Sequence, residues 1–434
     1  MTLQDKDPLT LLMSEQHPMA EPLEPSPAAW PAVEISPRAA KKIASGVLWI
    51  YSNEVESRDE QPAAAYLCRF MRNGRAVAAG YFNKHSLIAG RVLAFGDVPD
   101  LERLLTRRLR EAFARRAPGV AGGAARLVFS EADLLPGLVL DFYPPDAVLQ
   151  SGTAGMDLLL PMIEGCVPPL IEEVFGQKLQ GLVLRCDGGV RRLEAAEMFS
   201  RVCFGDRERL AQATVDEHGV RVVADLVGGQ KTGFFLDQRD NRLFLGNRVR
   251  QMPGARVLDL FCYSGGWGLR ALREGAGHVT FVDQNREALQ LLEKGLTANA
   301  VPPETAEPVR ADAFEFLSRD QALYDVVVAD PPAFVKSRKN LAQAIKAYQK
   351  LNRLAWRRVR PGGLLITCSC SHHLAEDDFL NLLAAAVARE EGLAQIVHRG
   401  GQATDHPALL SMPETAYLKC IGLLKIKPGN DSGR

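Results

Sequence analysis

A strand that stops at an aspartate and two prolines constrains this sequence more than any other feature. Residues 326–328 are three valines, and Ala329, Asp330, Pro331 and Pro332 follow them. Such an apolar run is typical of a strand buried inside a parallel sheet. Proline lacks the amide hydrogen that a central strand needs, so the strand ends at Asp330. Because ligands bind at the carboxyl ends of such strands, we predict that Asp330 lies in a functional site.

The second half of the chain repeats this pattern of strand, polar end and helical segment. Four of its five strand-length runs carry an aspartate at or near their end, namely Asp259, Asp283, Asp312 and Asp330, and the fifth ends at Cys370. The alternation predicts an α/β fold with a doubly wound parallel sheet. Buried strands have no structural use for four carboxylates, which makes these residues candidates for chemistry. The runs cover residues 256–261, 278–283, 308–312, 324–330 and 363–370.

The sequence ahead of that sheet divides into three regions. Residues 1–34 are rich in proline, glutamate and serine without periodicity, which predicts a flexible extension. Residues 35–117 predict a small β-rich domain, in which Asn73-Gly74 marks a hairpin and residues 101–116 form an arginine-rich amphipathic helix. The polar face of this helix is either solvated or directed at phosphates. Residues 118–212 predict an α+β middle domain, and residues 213–434 carry the parallel sheet.

Composition narrows the class of protein. The 434 residues carry 52 basic and 52 acidic side chains, so charge alone gives no sign of a nucleic-acid partner. No apolar run reaches about 18 residues, which argues against a membrane span, and the N-terminus lacks a secretory pattern. Eight scattered cysteines without a paired framework favour free thiols, so we expect a cytoplasmic protein. A homodimer remains a further hypothesis, since the sequence does not fix the oligomeric state.

A glycine-containing loop follows the first strand of the predicted sheet. Asp259 precedes Gly265 and Gly266, and a helical run begins shortly after them. Glycines at this place allow a ligand to approach the backbone and the end of a helix. The spacing differs from the dinucleotide pattern Gly-x-Gly-x-x-Gly, which argues against a nicotinamide or flavin cofactor. A carboxylate here would repel phosphates and attract an ammonium group.

The next two strand ends indicate the rest of the ligand. Asp283 stands where an acidic residue hydrogen-bonds ribose hydroxyls in nucleotide-binding sheets. Asp312 precedes Ala313 and Phe314, and it could accept a hydrogen bond from an adenine amino group while Phe314 packs nearby. A ligand with adenine, ribose and a cationic amino-acid tail but no phosphate satisfies all three aspartates. That description fits S-adenosylmethionine.

Several separated motifs resemble the ribosomal RNA large-subunit cytosine-C5 methyltransferase I family. Within the predicted sheet, the resemblance is carried by residues 259–268, Asp283, Asp312, residues 330–332 and residues 368–371. Outside it, residues 233–242, 136–138, 405–407 and 417–419 are similar to the same family, and the first β-rich domain resembles its RNA-binding PUA domain. The resemblance covers all but the N-terminal extension. It implies a Rossmann-like class I methyltransferase domain that acts on large-subunit ribosomal RNA.

The resemblance also implies roles for individual residues. Carbon 5 of cytosine becomes nucleophilic once a thiolate has added to carbon 6, and the family assigns that thiolate to Cys370. Asp330 would hydrogen-bond the cytosine edge and stabilise the activated ring. Many RNA cytosine methyltransferases carry a second cysteine after the strand-four proline, whereas this chain has Pro332-Ala333. The implied cofactor-binding residues are Phe235, Gln238, Asp259, Tyr263, Ser264, Gly265, Gly266, Asp283, Asp312 and Asp330, and the candidate RNA-binding residues are Arg239, Arg242 and Lys336.

Alternatives remain open for several of these residues. The alternation of a strand places Cys368 and Cys370 on one face, so pattern alone does not separate them. Cys370 is also consistent with a buried structural thiol. Together with His372 and His373 the two thiols suggest a metal site, but successive side chains point in different directions, and we expect no metal. Lys231, Arg239 and Arg242 are equally consistent with contact to phosphates or substrate and with plain surface charge.

Two other functions compete with cytosine methylation. A methyltransferase that acts on a nitrogen of guanine or adenine shares the Asp-Pro-Pro motif but needs no thiol, so Cys370 discriminates against it. A non-catalytic RNA-binding factor with a degenerate methyltransferase fold would have no use for the strand-end aspartates and the glycine loop.

Overall fold

A computed structural model describes residues 29–56, 61–62, 64–98, 100–120, 123–334, 340–388 and 390–427. Within these residues, the strands form two five-stranded sheets, one two-stranded sheet and one seven-stranded sheet. Most of the predicted extension, residues 1–28, lies outside the described residues, as does Lys336. No helix of the described part is long and apolar enough to span a membrane.

The first five-stranded sheet has the strand order β1-β3-β4-β5-β2. Its elements are β1 (Ala32–Glu34), α1 (Pro37–Ala44), β2 (Trp49–Ile50), β3 (Tyr66–Arg72), β4 (Arg75–Phe82) and β5 (Gly90–Phe95). The predicted hairpin is confirmed, because Asn73 and Gly74 join antiparallel β3 and β4 with φ of 50° and 72°. β1 pairs in parallel with β3, so the sheet begins inside the predicted extension.

The second sheet has the order β10-β9-β8-β7-β6 and is covered by helices. Its elements are α2 (Leu101–Val120), β6 (Ala125–Phe129), β7 (Leu138–Tyr143), β8 (Asp146–Ser151), α3 (Ala154–Asp157), α4 (Leu160–Phe175), β9 (Gly181–Cys186), β10 (Phe199–Phe204) and α5 (Arg207–Leu210). The arginines of α2 do not form a free cationic stripe. Arg116 is buried against Asp133, and Arg110 pairs with Glu173 at 2.7 Å.

The seven-stranded sheet confirms the predicted parallel arrangement and extends it. A two-stranded hairpin, β11 (Ala213–Glu217) and β12 (Val220–Ala224), precedes this sheet in the chain. The helix α6 (Arg239–Val249) follows the hairpin. The sheet and its helices comprise β13 (Arg256–Leu260), α7 (Gly266–Arg273), β14 (His278–Asp283), α8 (Arg286–Ala298), β15 (Ala306–Arg310), α9 (Ala313–Arg319), β16 (Tyr324–Ala329), α10 (Leu341–Arg358), β17 (Val359–Ser369), α11 (Glu376–Val387), β18 (Leu393–Gly400) and β19 (Lys419–Ile426).

The strand order is β15-β14-β13-β16-β17-β19-β18, and the first five strands are parallel. β19 inserts antiparallel between β17 and β18. Neither β18 nor β19 was predicted from the sequence. The parallel register brings the ends of β13, β14 and β16 to one edge of the sheet. Asp259 lies opposite Phe281 and Val328, and Leu260 lies opposite Ala329.

Alternating side chains of the central strands pack on both faces of this sheet. Val326 and Val328 join the apolar cluster that contains α6, α7 and α8, whereas Val327 joins the cluster that contains α9, α10 and α11. All three valines are fully buried. Because helices cover both faces, the polar ends of the strands open only at the edges of the sheet.

The first sheet packs on the middle one at Gly155, and this contact gives a test of the arrangement. A Cβ atom at Gly155 would overlap ring carbons of Tyr81, whose hydroxyl donates to the Pro136 carbonyl at 2.7 Å. We predict that Gly155→Ala lowers the free energy of unfolding by about 1–3 kcal/mol, because the core there has no spare volume. Chemical denaturation would measure the change.

Gly165→Ala is the matched control for that substitution. Gly165 lies in α4, and nothing stands within 4 Å of a Cβ placed there. Alanine should raise stability by roughly 0.5–1 kcal/mol through helix propensity. Equal stability of the two variants would contradict the packing described for Gly155.

Candidate active site

A cavity of about 420 Å³ opens at the carboxyl ends of the parallel strands. It brings together eight of the predicted catalytic and cofactor-binding residues. Those residues are Phe235, Gln238, Tyr263, Ser264, Gly266, Asp283, Asp330 and Cys370. Lys231, Asp237, Arg242, Cys262, Trp267 and Leu418 complete much of the same wall. The wall therefore combines aromatic surface with carboxylates and thiols.

The glycine loop between β13 and α7 forms one side of the cavity. Gly265 caps α7 in the left-handed conformation with φ of 82°, a geometry that favours glycine. Tyr263 also has a positive φ, 50°, and its amide donates to Asp283 Oδ2 at 2.9 Å. The end of β14 thus holds the loop in place. Gly265 itself does not contribute to the described wall.

Asp259 lies behind the glycine loop rather than on the cavity wall. Its Oδ2 accepts from the Gly268 amide at 2.9 Å, and its Oδ1 is buried without a hydrogen-bond partner. Burial raises the pKa of Asp259 to about 8, and the nearby carboxylates of Asp330 and Asp283 add to the rise. A neighbouring cation favours the ionised form of such a buried carboxyl group. This group of carboxyl side chains therefore fits a positively charged ligand.

Asp312 does not line the described cavity, and its contact with adenine stays a prediction. β15 ends two residues earlier, and the exposed Asp312 side chain caps α9 by accepting from the amides of Phe314 and Glu315 at 2.9 and 3.1 Å. Its carboxylate thus serves the helix start. Phe314 packs against Phe334, with ring centroids 6.3 Å apart.

Asp330 follows β16 directly and is held by two donors. Gln238 Nε2 and Trp267 Nε1 both donate to Asp330 Oδ2, at 3.0 and 3.1 Å. Asn241 fixes Gln238 in turn, by donating to Gln238 Oε1 at 2.7 Å. Burial raises the pKa of Asp330. Since both donors occupy Oδ2, a proton on this carboxyl group would sit on Oδ1.

The structure separates the two cysteines that the sequence pattern could not. Cys368 is fully buried in β17, where burial raises its pKa well above the usual value, and it pairs across the ladder with Cys420. Cys370 follows the last residue of β17 and lies on the cavity wall with Asp330. Burial raises the pKa of the Cys370 thiol as well, but the charge of Lys231 opposes that rise.

Cys262 is the other thiol that borders the cavity, and it is poorly placed for chemistry. Its side chain is 3% exposed and belongs to the apolar cluster beneath the glycine loop. Burial raises its pKa well above the usual value, and the carboxylates of Asp259 and Asp283 add to the rise. A packing role therefore suits Cys262.

Arg239 and Arg242 are both buried in ion pairs, so neither is plain surface charge, and their contact with RNA stays a prediction. Arg239 is 5% exposed and pairs with Asp405 at 2.7 Å. Arg242 is 1% exposed and pairs through two nitrogens with Glu217. Buried charges need partners, and these partners lie far away in sequence, so the motif alone did not reveal them.

Other groups in the cavity received no assigned role from the sequence. Trp267 was visible in the glycine loop, but its indole donor to Asp330 was not. Asp237 lies between residues that were singled out, and it is 2% exposed with Oδ1 unpartnered. Lys231 was a candidate contact for phosphates or substrate, but its ion pair with Asp237 was not predicted. In the described part of the chain, His, Cys, Asp and Glu form no group of three or more suited to a metal ion.

Comparisons with protein families identify two domains in this chain. A model of PUA-like domains matches residues 33–95, and a model of S-adenosylmethionine-dependent methyltransferases matches residues 195–421. The second match contains every residue of the cavity wall named above. S-adenosylmethionine is therefore the cofactor, in agreement with the prediction from the strand-end aspartates.

Two relatives with similar sequences carry the same name. Ribosomal RNA large subunit methyltransferase I of Photobacterium profundum is 34% identical over 387 residues, which cover 86% of this chain and 93% of the relative. The protein of the same name from an Enterobacter species is 32% identical over 379 residues, with the same coverage.

Solved structures share the fold at lower sequence identity. A protein from Streptococcus mutans described as a SAM-dependent methyltransferase has a TM-score of 0.74 and 19% identity, and the match covers 91% of this chain and 100% of that one. A methyltransferase solved in complex with SAH has a TM-score of 0.75, 19% identity and the same coverage. These likenesses confirm the predicted fold.

The buried Asp259 predicts a pH-dependent affinity for S-adenosylmethionine. The free carboxyl group has a pKa of about 8, and a bound cation favours its ionised form. Below that pH, binding must release a proton, so affinity should fall by up to about tenfold for each pH unit. Calorimetric titration between about pH 6 and 8.5 would measure this trend.

Asp259→Asn is the control for that titration. Asparagine keeps an oxygen for the Gly268 amide but removes the ionisable group, so the variant should bind more weakly at high pH and show a flatter profile. A wild-type affinity that stays constant across the range would contradict the assignment of Asp259.

Proposed function

This chain belongs to the ribosomal RNA large subunit methyltransferase I family, and from that premise we propose that it methylates carbon 5 of a cytosine in large-subunit ribosomal RNA. The coarser activity, S-adenosylmethionine-dependent methylation of that RNA, is that of the family. The finer assignment to cytosine C5 is supported by one observation. Cys370 presents a thiol on the cavity wall that also carries Asp330.

The proposed reaction uses Cys370 as a covalent nucleophile. Its thiolate adds to carbon 6 of the ring, the C5–C6 double bond breaks, and carbon 5 becomes an enamine-type nucleophile. S-adenosylmethionine, when bound, would supply an electrophilic methyl group, and the bond from that methyl group to sulfur would break to leave S-adenosylhomocysteine. Carbon 5 takes that methyl group, loses its proton to solvent, and the restored double bond expels the Cys370 thiolate. The nucleophile is thereby regenerated.

Asp330 acts in this proposal on the cytosine edge. Gln238 and Trp267 hold its Oδ2, so Oδ1 is the atom directed to a base. Because the pKa of Asp330 is raised, Oδ1 can carry a proton and donate it in a hydrogen bond to the ring nitrogen N3. Such a bond stabilises the electron-rich ring that forms when the thiolate adds.

The domains divide this work. The first domain, proposed to span residues 35–117, resembles PUA-like domains and would contact RNA. Residues 118–212 form the proposed middle domain, and residues 213–434 carry the reaction. Free cysteines agree with a reducing compartment, so we place the protein in the cytoplasm with the ribosomal RNA.

Replacement of the nucleophile provides the main test. We predict that Cys370→Ala lowers the yield of 5-methylcytidine in ribosomal RNA by at least about a thousandfold, because the buried Cys262 thiol cannot replace it. Mass spectrometry of nucleosides would measure the yield. Cys368→Ala, two residues away in the same segment but buried off the cavity, should retain activity close to the wild type.

A second readout traps the covalent step. RNA that contains 5-fluorocytidine cannot lose a proton from carbon 5 after methylation, so the adduct should persist with the wild type and be absent with Cys370→Ala. Denaturing gels with labelled RNA would show it. Methylguanosine or methyladenosine that persists in Cys370→Ala would instead establish a nitrogen methyltransferase.

A further inference from the structure

A cluster of charged and polar side chains lies on the cavity wall that carries Cys370. Lys231 Nζ lies 2.6 Å from Asp237 Oδ2, and the Tyr417 hydroxyl donates to the same oxygen at 2.6 Å. The Lys231 ammonium also lies 4.4 Å above the ring of Phe235. These contacts fix a cation at one place in the cavity.

The backbone at Lys231 is strained, which is unusual for a simple surface residue. Its φ is 51°, in the left-handed region that costs an L-residue about 1–2 kcal/mol. Phe261 and Tyr263, on the same cavity wall, also have positive φ values, of 60° and 50°. Strain of this kind persists where surrounding contacts enforce it, and it concentrates at functional sites.

The charges that face Cys370 come from several elements. Asp330 follows β16, and Asp237 lies in the turn before α6. Both carboxyl groups raise the pKa of the thiol, in addition to burial, and Lys231 lowers it. The hydroxyl groups of Tyr348 and Tyr417 also lie within electrostatic reach, but burial raises the pKa of both, so they stay neutral.

The other basic groups near Cys370 are less suited to act on it. Lys419 Nζ donates to the carbonyls of Ser371 and Tyr417 at 2.7 and 2.8 Å, and burial lowers its pKa to about 8. Burial also lowers the pKa of His372, which favours its neutral form. On the described wall, the second cation is Arg242, and Glu217 neutralises it.

We infer that Lys231 is a positioning residue, whose ammonium, fixed by Asp237 on the cavity wall that carries Cys370, stabilises the Cys370 thiolate as it forms and adds to the base. This inference rests on the proposed function. The thiol proton passes to solvent, Lys231 keeps its own proton throughout, and the sulfur electron pair forms the bond to carbon 6. When the thiolate is expelled, the same ammonium stabilises it again.

Alkylation of Cys370 tests the inference without RNA or methyl donor. Full-length protein is treated with iodoacetamide across about pH 6 to 9.5, and mass spectrometry of the peptide that contains Cys370 gives the rate. With Lys231→Met, we expect the alkylation rate of Cys370 near neutral pH to fall by about tenfold. The pH at which this rate reaches half of its maximum should rise by about one unit. Lys231→Arg keeps the charge and should stay within about threefold of the wild type.

Controls separate charge from folding. Lys346→Met removes an exposed lysine from α10 and should leave the profile unchanged. Alkylation of the buried Cys368 would show that Lys231→Met disturbs the fold. In that case the Lys231→Gln variant is used instead of Lys231→Met, because glutamine can still hydrogen-bond Asp237 without a charge. The inference would be overturned if a variant without the Lys231 charge kept Cys368 protected and still showed the wild-type pH profile of Cys370 alkylation.

Nucleoside mass spectrometry on the wild type runs in parallel. If the wild type forms 5-methylcytidine but the alkylation profile of the Lys231 variants is unshifted, the role of Lys231 is wrong and the proposed function stands. A shifted profile without 5-methylcytidine would defeat the proposed function and leave the Lys231–Cys370 coupling in place.

Discussion

Crowding of negative charge at one edge of the parallel sheet is the constraint on which the site depends. The register of β13, β14 and β16 brings Asp259, Asp283 and Asp330 together, and Asp237 joins them from the turn before α6. Carboxylates at such short range repel each other, and burial adds to the cost of ionisation. The sheet can hold this arrangement because some of the carboxyl groups take up protons or meet a cation. An S-adenosylmethionine molecule, with its positive charge, is therefore favoured where a phosphate would be rejected.

The surroundings of these carboxyl groups divide them into two chemical types. Burial raises the pKa of Asp330, and Gln238 and Trp267 supply only neutral donors. Burial would do the same to Asp237, but the charge of Lys231 lowers its pKa below the usual value. One cavity thus contains a carboxyl group whose pKa is raised and another whose pKa is lowered. Such separation of pKa values is how a protein assigns different roles to one residue type.

The sequence predicted the parts of this site that depend on local pattern. Strand periodicity and the proline stop after Asp330 placed that residue and Cys370 at the ends of neighbouring strands, where they lie. Local pattern does not supply the partners that lie far away in sequence. The ion pairs of Arg242 and Arg239 involve residues 25 and 166 positions away, and no local pattern indicates them. Asp312 caps α9 through Oδ1, a role that its place after a strand did not indicate, and its contact with adenine stays a prediction.

One segment near the C-terminus links the first sheet to the reactive cavity. The Ser411 hydroxyl donates to the Gly46 carbonyl at 2.9 Å, so the segment touches the domain proposed to contact RNA. Asp405 accepts from the Arg126 amide at 2.9 Å, which attaches the segment to the middle sheet. Tyr417 then reaches Asp237 in the cavity. The Asp405 contact is buried, the Tyr417 contact is part-buried, and both are charge-assisted, so the segment joins the partners of Lys231 to the middle sheet. RNA bound by the first domain would thus meet a cavity whose geometry is set by the same segment.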